Sequence, residues 1–285
     1  MKLAVITDEI AQELAIALEL VGRHGFDGVE IRSVWNRTPD ELDAPLCARI
    51  RDETEAAGLE IVGFDSPAMK TAFPRGAAAL ARAAASLARA VEQASLLGAA
   101  FVRIFSFYRE GEPAPTAAGA CLRTILERVD LGGTQLLLET GTRTNTPTSS
   151  ATDVCLRELD GLPVGVLWDP GNSAFSGLEP EPFPGGYELL RDRIAHVHVK
   201  DPAGNAYYTR LGDGEVPWEA IVTALAADGF DGYLSLETHW RLGEPLSQEL
   251  RDDPWGDRFS AGALEASDAC MPILARLVAD AGVRA

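Results

Sequence analysis

The chain has no apolar run approaching the ~20 residues that a bilayer-spanning helix needs, so no membrane partner is expected. Its first residues, MKLAVITDEIAQ, turn acidic at Asp8. A secretory signal peptide needs a longer apolar stretch and a small-residue cleavage site, so a cytoplasmic protein is expected. Cysteine is scarce: Cys47, Cys121, Cys155 and Cys270 are scattered and form no CxxC pair. That spacing excludes a zinc ribbon or redox motif and leaves small core or surface residues. A disulfide framework is not expected in so large a cytosolic chain. Basic residues are outnumbered, 25 Lys and Arg against 43 Asp and Glu, for a formal charge of −18. A surface that negative repels phosphate backbones and anionic lipid heads, which excludes nucleic acid as a partner. A small anionic ligand is still allowed, because one local basic pocket suffices. Linkers, low-complexity tracts and domain boundaries are also missing, so residues 1–285 are expected to form one domain.

What the chain does have is alternation. Short apolar or β-branched runs are followed by longer segments with helical spacing, eight times over. The runs are 3–6, 29–31, 60–64, 101–105, 135–138, 164–168, 194–199 and 233–236. The intervening helices are expected at about 9–24, 39–57, 75–97, 115–130, 151–159, 187–192, 217–227 and 261–281. Gly25, Gly58 and Gly98 stand where the first three should stop. Eight βα units predict a parallel sheet closed into a (β/α)8 TIM barrel. An open doubly wound sheet would need a glycine-rich turn after the first strand, and Thr7-Asp8-Glu9-Ile10 is unlike one. The polar segment from about 241 to 260 follows the eighth run, at the mouth, where it is either a lid or interface loop or a plain surface excursion.

In such a barrel the chemistry collects at the C-terminal strand ends. There the sequence places Glu139 (LLLET), Asp169 (LWDPGN), His196 and His198 (HVHVKD) and Glu237 (LSLETHW), on four consecutive strands. Poorly solvated carboxylates need compensation, and one shared divalent cation serves several of them at once. Glu139, Asp169, His198 and Glu237 are therefore the candidate metal ligands. Three carboxylates and an imidazole suit Mn²⁺, placed first, then Mg²⁺, Co²⁺ or Zn²⁺. His198 is preferred to His196 because it lies nearer the strand's C-terminal end; His196 sits a layer deeper, in the core or supporting the site. Arg210, in TRLGDGE, is the candidate for holding a substrate hydroxyl, carboxylate or phosphate. Glu30 is a candidate pocket wall, with Arg32, Asp8 and Glu9 as weaker ones, and His239 and Trp240 are placed near the mouth.

The segments LLLET, WDPGN, HVHVKD, LGDGEVPWEAIVTAL and GFDGYLSLE, with TDEI and GFDGVEIR earlier, resemble the xylose-isomerase-like sugar phosphate isomerase/epimerase superfamily over nearly the whole chain. The resemblance implies a TIM barrel with metal held at Glu139, Asp169, His198 and Glu237, and an acid/base pair in Glu139 and Glu237. It also implies a place near substrate for Lys200. Several ketose 3-epimerases carry a histidine that touches substrate three residues after the aspartate ligand. Asn172 stands there, and an amide hydrogen-bonds but does not titrate. The family's chemistry implies an isomerase or epimerase that removes the proton α to a carbonyl of a small sugar or keto-sugar, by way of an enediolate. The alternative is a dehydratase of a keto-inositol or related cyclic polyol, whose branch WDPGN and LGDGEVPW also resemble. An endonuclease IV-type repair enzyme would need many histidines and a basic face, against four histidines and −18 here. A non-catalytic sugar-binding barrel is disfavoured by intact ligands at all four strand ends. Barrels of this type often pair through helices and long loops, so a homodimer or homotetramer is a further expectation.

Overall fold

The computed structural model describes residues 1–282. Eight parallel strands close a barrel: β1 Lys2–Ile6, β2 Gly28–Ile31, β3 Glu60–Phe64, β4 Phe101–Ile104, β5 Gln135–Glu139, β6 Val164–Trp168, β7 Ile194–Val199 and β10 Tyr233–Leu236, with β10 pairing β1. The (β/α)8 expectation is met in every strand. Long helices follow on the outside, α1 Leu14–Arg23, α2 Ala44–Ala56, α3 Ala77–Leu97, α4 Pro115–Leu126, α5 Ser149–Arg157, α8 Trp218–Ala227 and α11 Ala263–Asp280. Each buries an apolar stripe against the strands, as an amphipathic helix over a sheet must. Among the described residues, no helix is long and apolar enough to cross a membrane.

The departures from the expected elements fall at the mouth. The first helix starts at Leu14, because Thr7–Glu9 is a 3-10 turn whose carboxylates are buried rather than exposed on a helix surface. Between β6 and β7 stand two short helices, α6 Pro170–Phe175 and α7 Gly185–Leu190. After β7 a small hairpin, β8 Asp201–Ala203 with β9 Tyr207–Thr209, rises at the rim. The 241–260 segment folds into α9 Gln248–Asp252 and α10 Gly256–Ser260.

The barrel interior changes from apolar to charged in two residues. Ala4, Val62, Phe101, Leu137 and Leu167 form one buried apolar cluster. Alternate strand residues face the same side, so the residues two places on from Phe101, Leu137 and Leu167 point inward above it. They are Arg103, Glu139 and Asp169. The apolar layer is thus the floor of a charged chamber, and it touches the site directly: the Phe101 ring packs against His196 with centroids 4.8 Å apart. Gly63 makes room for that ring, since a Cβ there would run into it. Gly63→Ala should therefore overpack the floor and cost about 1–3 kcal/mol. The check is the midpoint of chemical denaturation; an unshifted midpoint would show that the ring has slack.

Candidate active site

Glu139 ends β5, Asp169 follows β6, His198 lies in β7 and Glu237 follows β10. All four are at most 3% exposed. One potential ligand atom from each lies within 4.8 Å of the others. The structure therefore brings the expected quartet together, and each member is held by a neighbour with its own reason to be there.

Asp169 caps α6: its Oδ1 accepts the Asn172 backbone N–H at 2.8 Å, leaving Oδ2 to face the quartet. Its peptide is clamped as well, the Asp169 N–H donating to Thr140 Oγ1 at 2.7 Å. The Asn172 side chain turns back and donates Nδ2–H to Glu139 Oε1 at 2.7 Å. Glu139 Oε2 lies 3.2 Å from the Arg103 guanidinium. Glu237 Oε1 accepts from Arg32 at 2.7 Å, and its Oε2 meets the Lys200 ammonium. Lys200 Nζ is also 2.7 Å from Asp169 Oδ2.

Beneath the quartet Glu30 holds two histidines. Its Oε1 is 3.0 Å from His196 Nε2 and its Oε2 is 3.2 Å from His198 Nε2. His198 Nε2 faces Glu30 while Nδ1 faces Glu237 Oε2 at 3.3 Å and Asp169 Oδ2 at 3.9 Å. Burial lowers its titration, but Glu30 and Glu237 outweigh it and raise the ring well above its usual range. A carboxylate behind a histidine in this way fixes the ring's tautomer and orientation. The expectation that Glu30 walls the substrate pocket is therefore corrected: it is fully buried, below the pocket, and bonded to the histidines. His196 is the supporting residue the sequence reading allowed for.

Burial of so many charges shifts their titration, and neighbours decide the direction. Burial pushes Asp169 up to about 7, reinforced by the negative charges of Glu237 and Glu139 and opposed by Lys200. Burial would raise Glu30 too, but His196 and His198 outweigh it and hold the carboxyl well below its usual range. Glu237 is held well below the usual range against its own burial, first by Lys200 and then by His239 and His198.

Arg32 is the central cation. It is 1% exposed and reaches Asp8 at 2.8 Å, Glu9 at 2.9 Å and Glu237 at 2.7 Å. Glu9 in turn lies 2.7 Å from His239 Nδ1 and accepts the His239 backbone N–H at 3.1 Å. Arg103 does for Glu139 what Arg32 does for Glu237, with Asp65 3.6 Å behind it. The sequence reading did not single out Arg103 or Asp65. The strand-end rule that found Glu139 also reaches Asp65, directly after β3, and Arg103 has the inward parity of Phe101.

The pocket above the quartet is lined by Lys200, Asn172 and His239, three of the candidate substrate contacts, and by Glu139 and Glu237. Phe175 and Tyr208 stack at 4.7 Å along one wall. The 241–260 segment is more than a plain excursion, since Gln248, Arg251, Asp252 and Pro254 form part of the pocket lining, its roof. Arg210 is not there. It is exposed just after β9, outside the pocket lining, and tied to Asp213 at 3.0 Å. The expectation that it binds substrate is corrected.

A family model described as xylose isomerase-like TIM barrel matches residues 18–257. The chain belongs to that family. This xylose isomerase-like barrel is 33% identical over 102 residues to the rhizopine catabolism protein MocC of Rhizobium meliloti, a stretch covering 29% of this chain and 30% of that protein. It is 28% identical over 123 residues to an inosose dehydratase of Lacticaseibacillus casei, covering 37% of this chain and 40% of that one. The matched stretch thus spans well under half the length of these curated relatives. Among solved structures, a D-tagatose 3-epimerase-like protein superposes with a TM-score of 0.73 at 18% identity, covering 99% of this chain and 98% of that one. At that identity the likeness speaks to the fold.

The Arg32 network yields a stability prediction. Arg32→Met strands Asp8, Glu9 and Glu237 without their shared cation, and should cost about 3–5 kcal/mol. Arg210→Met should leave the midpoint where it is. Comparable midpoints for the two variants would contradict the network as described.

Proposed function

We infer that the chain is a divalent-metal-dependent enzyme that removes the proton α to a carbonyl in a small polyhydroxylated substrate. The observation that carries this reading is the quartet itself. Glu139 Oε2, Asp169 Oδ2 and His198 Nδ1 are buried without a well-formed hydrogen bond, each facing only a charged neighbour, Arg103 at 3.2 Å, Lys200 at 2.7 Å and Glu237 Oε2 at 3.3 Å. Buried polar atoms normally find a donor. Three such acceptors from three strands, within reach of one another and of Glu237, fit a divalent cation. Two other groups come together, Glu30 with His196 and His198, and Glu9 with Glu237 and His239, but each offers three ligands against the quartet's four. Glu139, Asp169, His198 and Glu237 would hold the ion. Manganese is the first assignment for a carboxylate-rich set, with magnesium, cobalt and zinc as alternatives. When bound, such an ion supplies Lewis acidity to a carbonyl oxygen and the hydroxyl beside it.

The chain's own groups do the rest. Glu139 and Glu237 both line the pocket, so one can take the proton from carbon while the other returns one. Arg103 and Arg32 position them, and the low titration of Glu237 keeps it in the basic form. Asn172 orients Glu139 through its amide, without titrating. The roof and the Phe175–Tyr208 wall exclude water from the carbanion. Return of the proton to the opposite face gives an epimer, and return to the neighbouring carbon gives aldose–ketose isomerisation.

A second reading has a specific observation in its favour. Lys200 presents an ammonium in the pocket beside Glu237. A glutamate that takes the C–H proton and a lysine that protonates a departing β-hydroxyl together make a dehydratase. The C–H electron pair forms the new double bond, the C–O bond breaks, and water leaves. The partial match to inosose dehydratase supports this reading for a keto-inositol or similar cyclic polyol.

Protein loaded with Mn²⁺ and incubated in D2O with a panel of ketoses and keto-inositols separates the two readings by NMR. Deuterium at the carbon beside the carbonyl with the hydroxyls retained is expected for isomerisation, and loss of a hydroxyl for dehydration. In either case Glu237→Gln should slow turnover by about 10²–10⁴. Full-rate exchange in that variant would refute the assignment.

A further inference from the structure

The chain carries a formal charge of −18 and only three lysines, Lys2, Lys70 and Lys200. Two of them line one pocket, together with Arg32, Arg103, Arg143 and Arg251. Most of these cations have carboxylates of their own. Arg32 is matched by Asp8, Glu9 and Glu237; Arg103 by Asp65 and Glu139; Lys200 by Asp169 and Glu237; Arg143 by Asp252. Lys70 and Arg251 are different. Among the described residues, neither has a carboxylate within ion-pair distance, and both line the same pocket, Arg251 from the roof itself.

What they do touch is neutral. Lys70 Nζ donates to the Asp252 backbone carbonyl at 3.1 Å and lies 5.5 Å from the centre of the Phe105 ring. Arg251 donates to the Leu246 carbonyl and to Gln248 Oε1, lies 5.3 Å from the centre of the Phe175 ring, and keeps a buried Nε–H with no acceptor. Lys70 holds the carbonyl of the residue next to Arg251, and both cations line the one pocket. An ammonium in such surroundings is costly, and burial brings the Lys70 titration down to about 8, helped by repulsion from Arg103. Nothing here supplies a glycine-rich backbone cradle; the positive charge comes from side chains.

We propose that the substrate is an acid, and that Lys70 and Arg251 receive its carboxylate or phosphoryl group while its hydroxylated carbonyl end faces Glu139, Asp169, His198 and Glu237. This inference rests on reading the pocket as the substrate site of a metal-dependent enzyme. It adds a charge requirement to that reading: a neutral sugar would leave two cations uncompensated inside the pocket.

The test is titration calorimetry on the full chain with three matched pairs: D-glucuronate and D-glucose, quinate and myo-inositol, D-fructose 6-phosphate and D-fructose. Each pair is measured with Mn²⁺-loaded and with metal-free protein, and metal uptake by the same preparation is recorded separately. In at least one pair the acid should bind tenfold or more tighter than its neutral partner. In the Lys70→Met/Arg251→Met double variant that ratio should fall below about threefold, and Lys70→Arg should restore part of it. The pair that shows the preference identifies the anion as carboxylate or phosphoryl. A ratio below tenfold in every pair, including the case in which no acid binds, overturns the inference, as does a tenfold ratio that survives in the double variant. Thermal melting of each variant shows whether it is folded. Failure of metal uptake counts against the proposed function alone, since the acid preference is then decided on the metal-free protein.

Discussion

The mouth of this barrel is governed by the need to keep buried carboxylates company. Asp8, Glu9, Glu30, Asp65, Glu139, Asp169 and Glu237 are each at most 3% exposed and stand close together above the apolar floor. Removing a carboxylate from water costs several kcal/mol even after the protein relaxes. The structure answers with cations delivered from many elements: Arg32 after β2, Arg103 in β4, Lys200 after β7 and Arg241 after β10. Each reaches more than one anion or carbonyl, so the arrangement is a network rather than a set of pairs. Asp65, whose two oxygens make no hydrogen bond, and the three unbonded acceptors of the quartet mark where the network is incomplete.

The barrel makes such a network affordable by rigidity. Strand register places Leu137 and Leu167 two residues below Glu139 and Asp169, so the depth of each carboxylate is fixed by a packed apolar neighbour. The same register places His196 under His198, and Glu30 bonds both. A metal ligand oriented from behind by a buried carboxylate loses little freedom when it coordinates. The roof contributes in a different way. It is held by polar contacts from Lys70, Arg143 and Arg241 together with the buried Phe259.

How much of this was legible in the sequence follows from the period of each signal. The eight strands were legible because the βα alternation repeats, and Glu139, Asp169, His198 and Glu237 because each falls at the same point of its own repeat. Glu30 was found but misplaced: strand position gives inward direction, not depth, and two residues decide between pocket wall and histidine support. Arg210 was misplaced because a loop has no period, and the β8–β9 hairpin that precedes it was not visible. Lys70 lies in an irregular segment and Arg251 in the short helix α9, and only the assembled pocket shows that they share it. Asp8 and Glu9, expected as weaker pocket-wall candidates, are instead buried beside the Arg32 guanidinium, a partner distant in sequence.

The central claim is that four strand-end residues form one divalent-metal site. The most direct measurement is metal content per chain, by elemental analysis, of protein purified without a metal-affinity tag and then exposed to Mn²⁺, Mg²⁺, Co²⁺ or Zn²⁺. The account predicts about one ion per chain in the parent and loss of it in both Glu139→Ala and His198→Ala variants that remain folded. A parent that retains none of these ions, or variants that retain them in full, would contradict it.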